Sequence, residues 1–361
     1  MSDVSSTVKS GTRDEGPGPS PARPTQADVA RLAGVSTATV SHILSGRADR
    51  RGTGNAETRA RVEAAMTELG YRPNWAGRAL RRQRTGLVGA IVSTPSNPWR
   101  ENLIALAQEE LSRHCLDLVV FPDVRPGAAL DRVTDLLDRR AVDACFTVHL
   151  EDDDDPSHLA DCTIPALAFA ESGFDGVAKV RHGYEQAAEA AARTLVARGV
   201  RRFVLVKEGP AGPGHHDRIF TAPILGVLEA AGVAEVEVLE MPYRIGADLS
   251  ALPWDRLASA PADGPVVVMC LSDRLAIQIA AECARRGIGL GRTVGVVGRG
   301  DIPEGAEMSV PLSTLGAIGA DYTQVFSALA EAARSGSQIT EGWTFPWRFL
   351  ERESTAGLLP T

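Results

Sequence analysis

The stretch TQADVARLAGVSTATVSHILSG, residues 25–46, decides how the N-terminal part of this chain folds. Thr25 can cap a first helix, its hydroxyl accepting an otherwise unpaired N–H of the first turn. Val29, Ala30, Leu32 and Ala33 follow at spacings that predict one apolar face. Gly34 supplies the left-handed residue that ends the helix, and Ser36 caps a second one. Val35, Val40, Ile43 and Leu44 are placed to pack back on the first helix. Two short helices joined by a tight glycine turn form a helix-turn-helix, whose second helix enters the major groove of DNA. Its outer face carries Thr37, Ala38, Ser41 and His42, side chains suited to hydrogen bonds and methyl contacts with base edges.

Charge distribution agrees with that reading better than net charge does. The 361 residues sum to −8, yet residues 24–85 hold 11 arginines, no lysine and 5 acids. That segment is therefore +6 and the remainder −14, a basic head on an acidic body. A solvated charged helix face is the plainer explanation of the arginines, and charge alone does not choose between the two.

Residues 1–23 are rich in Ser, Gly, Pro and charge and read as a disordered tail. SGRADRRGTGNAE, residues 45–57, is a glycine- and arginine-rich loop. Asn55 can cap a third helix, with Val62, Met66 and Leu69 at helical spacing, and Pro73 is expected to break it. Asn74 can cap a last short helix ending near Leu80, weakened by Gly77 by roughly 1 kcal/mol relative to Ala. The expected domains are a headpiece over residues 24–72, a hinge over 73–85 and a body over 86–361.

From Leu87 onward, short apolar runs alternate with helical stretches. LVGAIVS, LDLVVF, VDACFTV, PALAFA, RRFVLV, VEVLEM, PVVVMC and TVGVVG read as buried strands. Asn102–His114, Leu130–Arg139, Gln186–Arg198 and Leu275–Arg286 read as helices between them. Such alternation predicts parallel sheets with right-handed crossovers, and its length predicts two similar lobes.

Several function classes lose support. No apolar run approaches the ~18–20 residues that span a bilayer, and no signal-peptide core opens the chain, so a cytoplasmic protein with no membrane partner is expected. The five cysteines lack CxxC spacing and suit reduced core thiols. GPAGPG lacks the Lys-Ser/Thr of a P-loop, and no nucleophile–base–acid set is evident, so no catalytic residue and no cofactor are expected. His215-His216-Asp217 and the acidic run Glu151–Asp155 read as surface loops rather than metal sites.

DVARLAGVSTATVSHIL and ETRARVEAAMTELGYRPN, in that order, resemble the lactose-repressor/galactose-repressor (LacI/GalR) family of bacterial transcription regulators. VDACFTV, RGVRRFVLV, VVGRGDIP, PLSTL and LERESTAGL extend the resemblance to about Leu358. It implies an α/β chain: a three-helix headpiece with a hinge helix, then a two-lobed, periplasmic-binding-protein-like core of parallel sheets flanked by helices. It also implies a homodimer or tetramer on operator DNA, and a cleft ligand that alters DNA affinity. Carried over residue by residue, base reading falls on Thr37, Ala38 and His42. Phosphate contacts fall on Thr25, Ser36, Thr39, Ser41, Asn55, Thr58, Tyr71 and Asn74, which fix register without reading sequence. Capping and phosphate contact are compatible roles for Thr25, Ser36 and Asn55. Leu80 takes the place of a leucine wedged into the minor groove, beside Gly77 and Arg78, with packing on the body as the other reading. Gly77 replaces the usual alanine, and the loop 46–54 is longer than in the lactose repressor.

The cleft resembles the family less. The usual Asn-Asp pair is Ser272-Asp273, and an aromatic-Asp-Asp run reads Arg299-Gly300-Asp301 after Gly298. Arg218 is the nearest candidate for a ligand-gripping arginine, although the matching position falls on Phe220. A Val-Asp-Asn run reads Val180-Arg181-His182. Asn97 and Trp99 follow the first strand, where ligands sit at strand C-termini, although Trp99 suits packing equally. Fewer carboxylates and more arginines argue for an anionic or more apolar effector over a neutral sugar, or for none at all. An α/β enzyme or transport protein carrying a helical headpiece is the remaining alternative.

Overall fold

The computed structural model describes residues 24–45, 56–72, 79, 82–93, 98–123, 137–148, 162–171, 176–208, 220–241, 248–259 and 264–358. The chain divides into two compact units, residues 1–83 and 84–361.

In the first unit, α1 (Gln26–Ala33), α2 (Thr37–Ser45) and α3 (Ala56–Leu69) enclose a small core. Thr25 and Asp28 form a reciprocal cap. The Thr25 hydroxyl accepts the Asp28 N–H at 3.4 Å, and the Asp28 carboxylate accepts the Thr25 N–H at 2.9 Å. Gly34 ends α1 at φ 65°, a left-handed conformation that costs glycine nothing. Ser36 Oγ then accepts the Thr39 N–H at 3.1 Å and opens α2. Val29, Ala30, Ala33, Val40, Val62, Ala65 and Tyr71 are buried together, flanked by Val35, Ile43, Leu44, Met66 and Leu69.

Two expectations need correction here. Leu32 is 46% exposed, because the buried stripe of α1 runs through residues 29, 30 and 33, about 100° around the helix from residue 32. The third helix stops at Leu69 rather than at Pro73. Gly70 turns left-handed at φ 61°, and the Tyr71 N–H closes back on the Met66 carbonyl at 2.9 Å.

The second unit contains two six-stranded sheets. Its elements in order are β1 (Leu87–Ser93), α4 (Pro98–Arg113), β2 (Asp117–Asp123), β3 (Ala144–Val148), β4 (Ala166–Phe169) and β5 (Ala178–Arg181). Then come α5 (Tyr184–Ala197), β6 (Arg202–Glu208), α6 (Ala222–Ala230), β7 (Glu235–Met241), α7 (Trp254–Ala258), β8 (Val266–Cys270) and α8 (Asp273–Arg285). The chain closes with β9 (Val294–Arg299), α9 (Pro303–Ala306), β10 (Ser313–Gly316), α10 (Thr323–Ser335), β11 (Trp343–Thr344), β12 (Arg348–Leu350) and α11 (Glu353–Ala356).

The first lobe's sheet has the order β11-β5-β4-β3-β1-β2, and the second lobe's has β12-β10-β9-β8-β6-β7. All pairings are parallel except β10 with β12. Apart from edge strands such as β2 and β7, each sheet is buried on both faces. Val88, Ala90 and Val92 meet α4 and α10 on one side of the first, while Ile91, Cys145 and Ala168 face the other. In the second, Phe203 and Leu205 meet α5 and α6, while Val204 and Val206 face the α7–α8 side. Burial on both faces is why these strands read as continuous apolar runs rather than alternating ones.

All eight apolar runs form strands. Beyond them stand β5, β10, β11 and β12, two to four residues each, too short to carry a pattern of their own. Of the expected helix Leu130–Arg139, residues 130–136 lie outside the described residues. None of the five cysteines is in a disulfide; Cys145, Cys162, Cys270 and Cys283 are buried, and Cys115 is exposed. Among the described residues no helix is long and apolar enough to cross a membrane, and no group of three or more His, Cys, Asp or Glu could hold a metal ion. His215-His216-Asp217 and Glu151–Asp155 lie outside those residues.

Among the described residues, the chain passes between the lobes three times, after β5, after β10 and after β11. The last passages return α10 to the first lobe and send β12 to the second. These three crossings place the central cluster described next.

Candidate functional site

The headpiece offers one face. Once Ser36 has capped α2, Thr37, Ala38 and His42 stand exposed on it, with Ser41 partly covered. The first N–H groups of a helix lack intrahelical partners and its N-terminus carries partial positive charge, so this end suits a phosphate. The Thr25 hydroxyl donates to Asp28 at 2.7 Å, and Ser36 Oγ lies 2.9 Å from Thr39 Oγ1. These hydroxyls are held in place by the caps they form. The Thr25 bond holds the Asp28 carboxyl below its ordinary range. Thr58 is half-buried on the first turn of α3. Tyr71 is only 8% exposed, so its ring belongs to the headpiece core. Asn55, Asn74, Gly77, Arg78 and Leu80 lie outside the described residues.

Between the lobes sits an aromatic cluster centred on His182. Its ring stacks on Tyr184 at 5.1 Å and on Phe169 at 6.1 Å, and the edges of Trp99 and Trp347 close in at 5.5 and 5.7 Å. Nε2 lies 3.0 Å from the Tyr322 hydroxyl. The backbone here is pinned by Glu171, whose carboxylate accepts the His182 N–H at 2.7 Å and the Gly183 N–H at 3.0 Å. Burial, and then the neighbouring Arg299 charge, push the His182 pKa down to about 3, so the ring is neutral at ordinary pH. The Arg299 guanidinium lies 4.9 Å from the Tyr184 ring centre and 5.9 Å from that of Trp347, in cation–π contact.

Of the cleft residues expected from sequence, Trp99 and Arg299 come together at this cluster. The other described ones are committed elsewhere. Phe220 is 1% exposed and packs in the second lobe's core with Ile224 and Leu228. Ser272 caps α8, accepting the Leu275 N–H at 3.3 Å. Asp273 is buried and takes the Thr314 hydroxyl at 2.6 Å and the Ile302 N–H at 2.9 Å. Asp301 is held by Arg352 at 2.6 Å. Both carboxylates thus serve the second lobe's own framework, because their donors arrive from β10, α9 and α11's approach rather than from the cleft. Asn97 and Arg218 lie outside the described residues. Sequence reasoning missed His182, Tyr184, Tyr322 and Trp347 as one group. Their one signal was position at an element boundary: Tyr184 opens α5, and His182, Tyr322 and Trp347 stand in short segments between regular elements.

A helix-turn-helix headpiece followed by a two-lobed body with parallel sheets defines a class, the DNA-binding regulators built on a periplasmic-binding-protein-like core. Comparison with known proteins agrees. Residues 25–74 match the family described as bacterial regulatory proteins, lacI family, and residues 192–336 match the periplasmic binding protein-like domain. The ribose operon repressor of Bacillus subtilis (strain 168) is 28% identical over 292 residues, covering 80% of this chain and 85% of that protein. The lac repressor dimer bound to operator and the anti-inducer ONPF superposes with a TM-score of 0.70 at 22% identity, covering 92% of this chain and 99% of that one. A LacI-family regulator from Silicibacter pomeroyi gives 0.71 at 23% identity, covering 91% and 98%. The chain therefore carries a lacI-family DNA-binding domain ahead of a periplasmic-binding-protein-like domain, the organisation of a DNA-binding transcriptional regulator.

Proposed function

We propose that the protein is a repressor that works in the cytoplasm, occupying a pseudo-palindromic operator as a dimer. The observation that carries this reading is the outer face of α2, on which Thr37 and Ala38 and, one turn on, His42 are exposed. Those three read bases, while Thr25, Ser36, Thr39, Ser41, Asn55, Thr58, Tyr71 and Asn74 set register on the phosphates. Leu80 is the minor-groove wedge, with Gly77 and Arg78 beside it. Residues 24–72 act as headpiece, 73–85 as hinge and 86–361 as body, and no catalytic activity is assigned. The name of the Bacillus relative supports repression.

A ligand between the lobes modulates DNA affinity in this reading, and it is anionic. Asp273 and Asp301 are spent on internal bonds, so the acceptors that would bind neutral sugar hydroxyls are occupied, whereas Arg299 stands at the junction. A second reading, a regulator without a small-molecule effector, is favoured by the aromatic rings that already pack there. A thermal-shift comparison of sugars, sugar phosphates and organic acids separates the two; stabilisation by a neutral sugar alone defeats the anionic version.

The DNA reading is tested by gel shift on the region upstream of the protein's own gene across a salt series. Binding should weaken steeply with salt. Thr37→Ala or His42→Ala should cost about 1–3 kcal/mol and relax sequence preference. Absence of binding to any DNA at low salt would falsify the regulator reading.

A further inference from the structure

All three passages between the lobes meet at His182. The Phe345 N–H donates to the Arg181 carbonyl at 2.8 Å and the Trp347 N–H to the His182 carbonyl at 2.7 Å, so the third passage is laced to the first. The second passage joins through Tyr322, whose hydroxyl lies 3.0 Å from His182 Nε2. Any rotation of one lobe against the other must be absorbed in these few residues, since the sheets on either side are packed on both faces.

Tyr322 is also the residue from which α10 starts, and Asp321 accepts the Thr323 N–H at 2.9 Å there. The helix runs 13 residues, about 20 Å, through the first lobe. Midway, the Ser327 hydroxyl donates to Glu110 at 2.5 Å on α4, the helix that begins beside Trp99. At the far end the Ala333 carbonyl accepts the Arg84 guanidinium, a cation at the negative end of the helix. The next two residues are clamped as well. The Asp143 carboxylate accepts the Thr85 N–H at 2.9 Å and the Gly86 N–H at 2.7 Å. Residues 84–86 are where the body's chain joins the segment that leads back to the headpiece.

We infer that α10 is a strut through which the knot at His182 sets the position of residues 84–86, with Tyr322 and Arg84 as positioning residues at its two ends. A change of lobe angle moves Tyr322 with the crossings. A packed helix transmits that displacement along its axis, and Ala333 carries Arg84 with it. The strut rests on the regulator reading only for what it acts upon; its mechanics are measurable without DNA.

The test is hydrogen–deuterium exchange on the full chain. Tyr322→Phe removes one hydroxyl and keeps the ring. It should speed exchange of the Thr85 and Gly86 amides about threefold or more. Arg84→Gln, at the other end, should speed exchange at residues 182–184 and 322–326. Gln324→Ala, an exposed position on the same helix, should leave both regions unchanged. The inference is overturned if Tyr322→Phe loosens residues 182–184 alone. It is equally overturned if exchange rises to the same degree in β8, which marks a general loss of stability.

Discussion

Asp273 shows how one carboxyl can be bound into a framework and still carry a cost. Burial raises its pKa from the ordinary 3.8 to about 6, against the opposing pull of the Thr314 hydroxyl and the Ile302 N–H. A raised carboxyl pKa means that the folded state holds the proton more tightly than the unfolded chain. Its contribution to stability is therefore fully present below about pH 4 and is lost as pH rises through about 6. In urea unfolding, the difference in stability between wild type and Asp273→Asn should drift in that window, with wild type losing ground as pH rises. A constant difference from pH 4 to 6.5 would refute this assignment. Gly298 is part of the same arrangement, since a Cβ there would lie 2.0 Å from Asp273 Oδ1. The sequence shows Ser272-Asp273 and Gly298-Arg299-Gly300-Asp301 as chemistry-bearing runs. It does not show their orientation, because the donor that claims Asp273 lies 41 residues away at Thr314.

Local bonding governs the headpiece elements, and those were the most legible. The caps at Thr25 and Ser36 and the left-handed Gly34 depend on residues within four positions of each other. Ser36→Ala removes the acceptor of the Thr39 N–H and the partner of the Thr39 hydroxyl. It should lower headpiece stability by about 1 kcal/mol, read as faster amide exchange in α2 with β8 unchanged. Equal exchange in α2 of both proteins would contradict the capping role. Leu32 escaped the reading because an apolar residue beside a stripe looks like part of it until the packing partner is known. Strands followed the same logic. Six- and seven-residue apolar runs announced themselves, whereas β11 exists because Trp343 and Thr344 come to lie against Val180 and Arg181.

At the scale of the whole molecule, two separate cores predict two unfolding events. Among the described residues, the headpiece core contains only headpiece residues, and the four clusters of the body contain only residues from 84–361. Calorimetry should resolve a small transition for the first unit and a larger one for the second, in proportion to their sizes. Ser36→Ala should lower only the small one; one merged transition that moves as a unit would argue against independent cores. The two-lobed division was legible because each sheet is rich in apolar strands and the segment is too long for one small sheet. The knot at His182 was not.

The sequence by itself determined the helix-turn-helix, its caps, the alternation of strand and helix and the order of domains, since each rests on periodicity or on partners a few residues apart. Only the tertiary structure decided that Asp273 and Asp301 face their own lobe, that the last two strands go to different sheets, and that Tyr322 meets His182 across 140 residues. Those outcomes depend on which surfaces the packed lobes bring together, and no local pattern encodes a contact between segments so far apart in the chain.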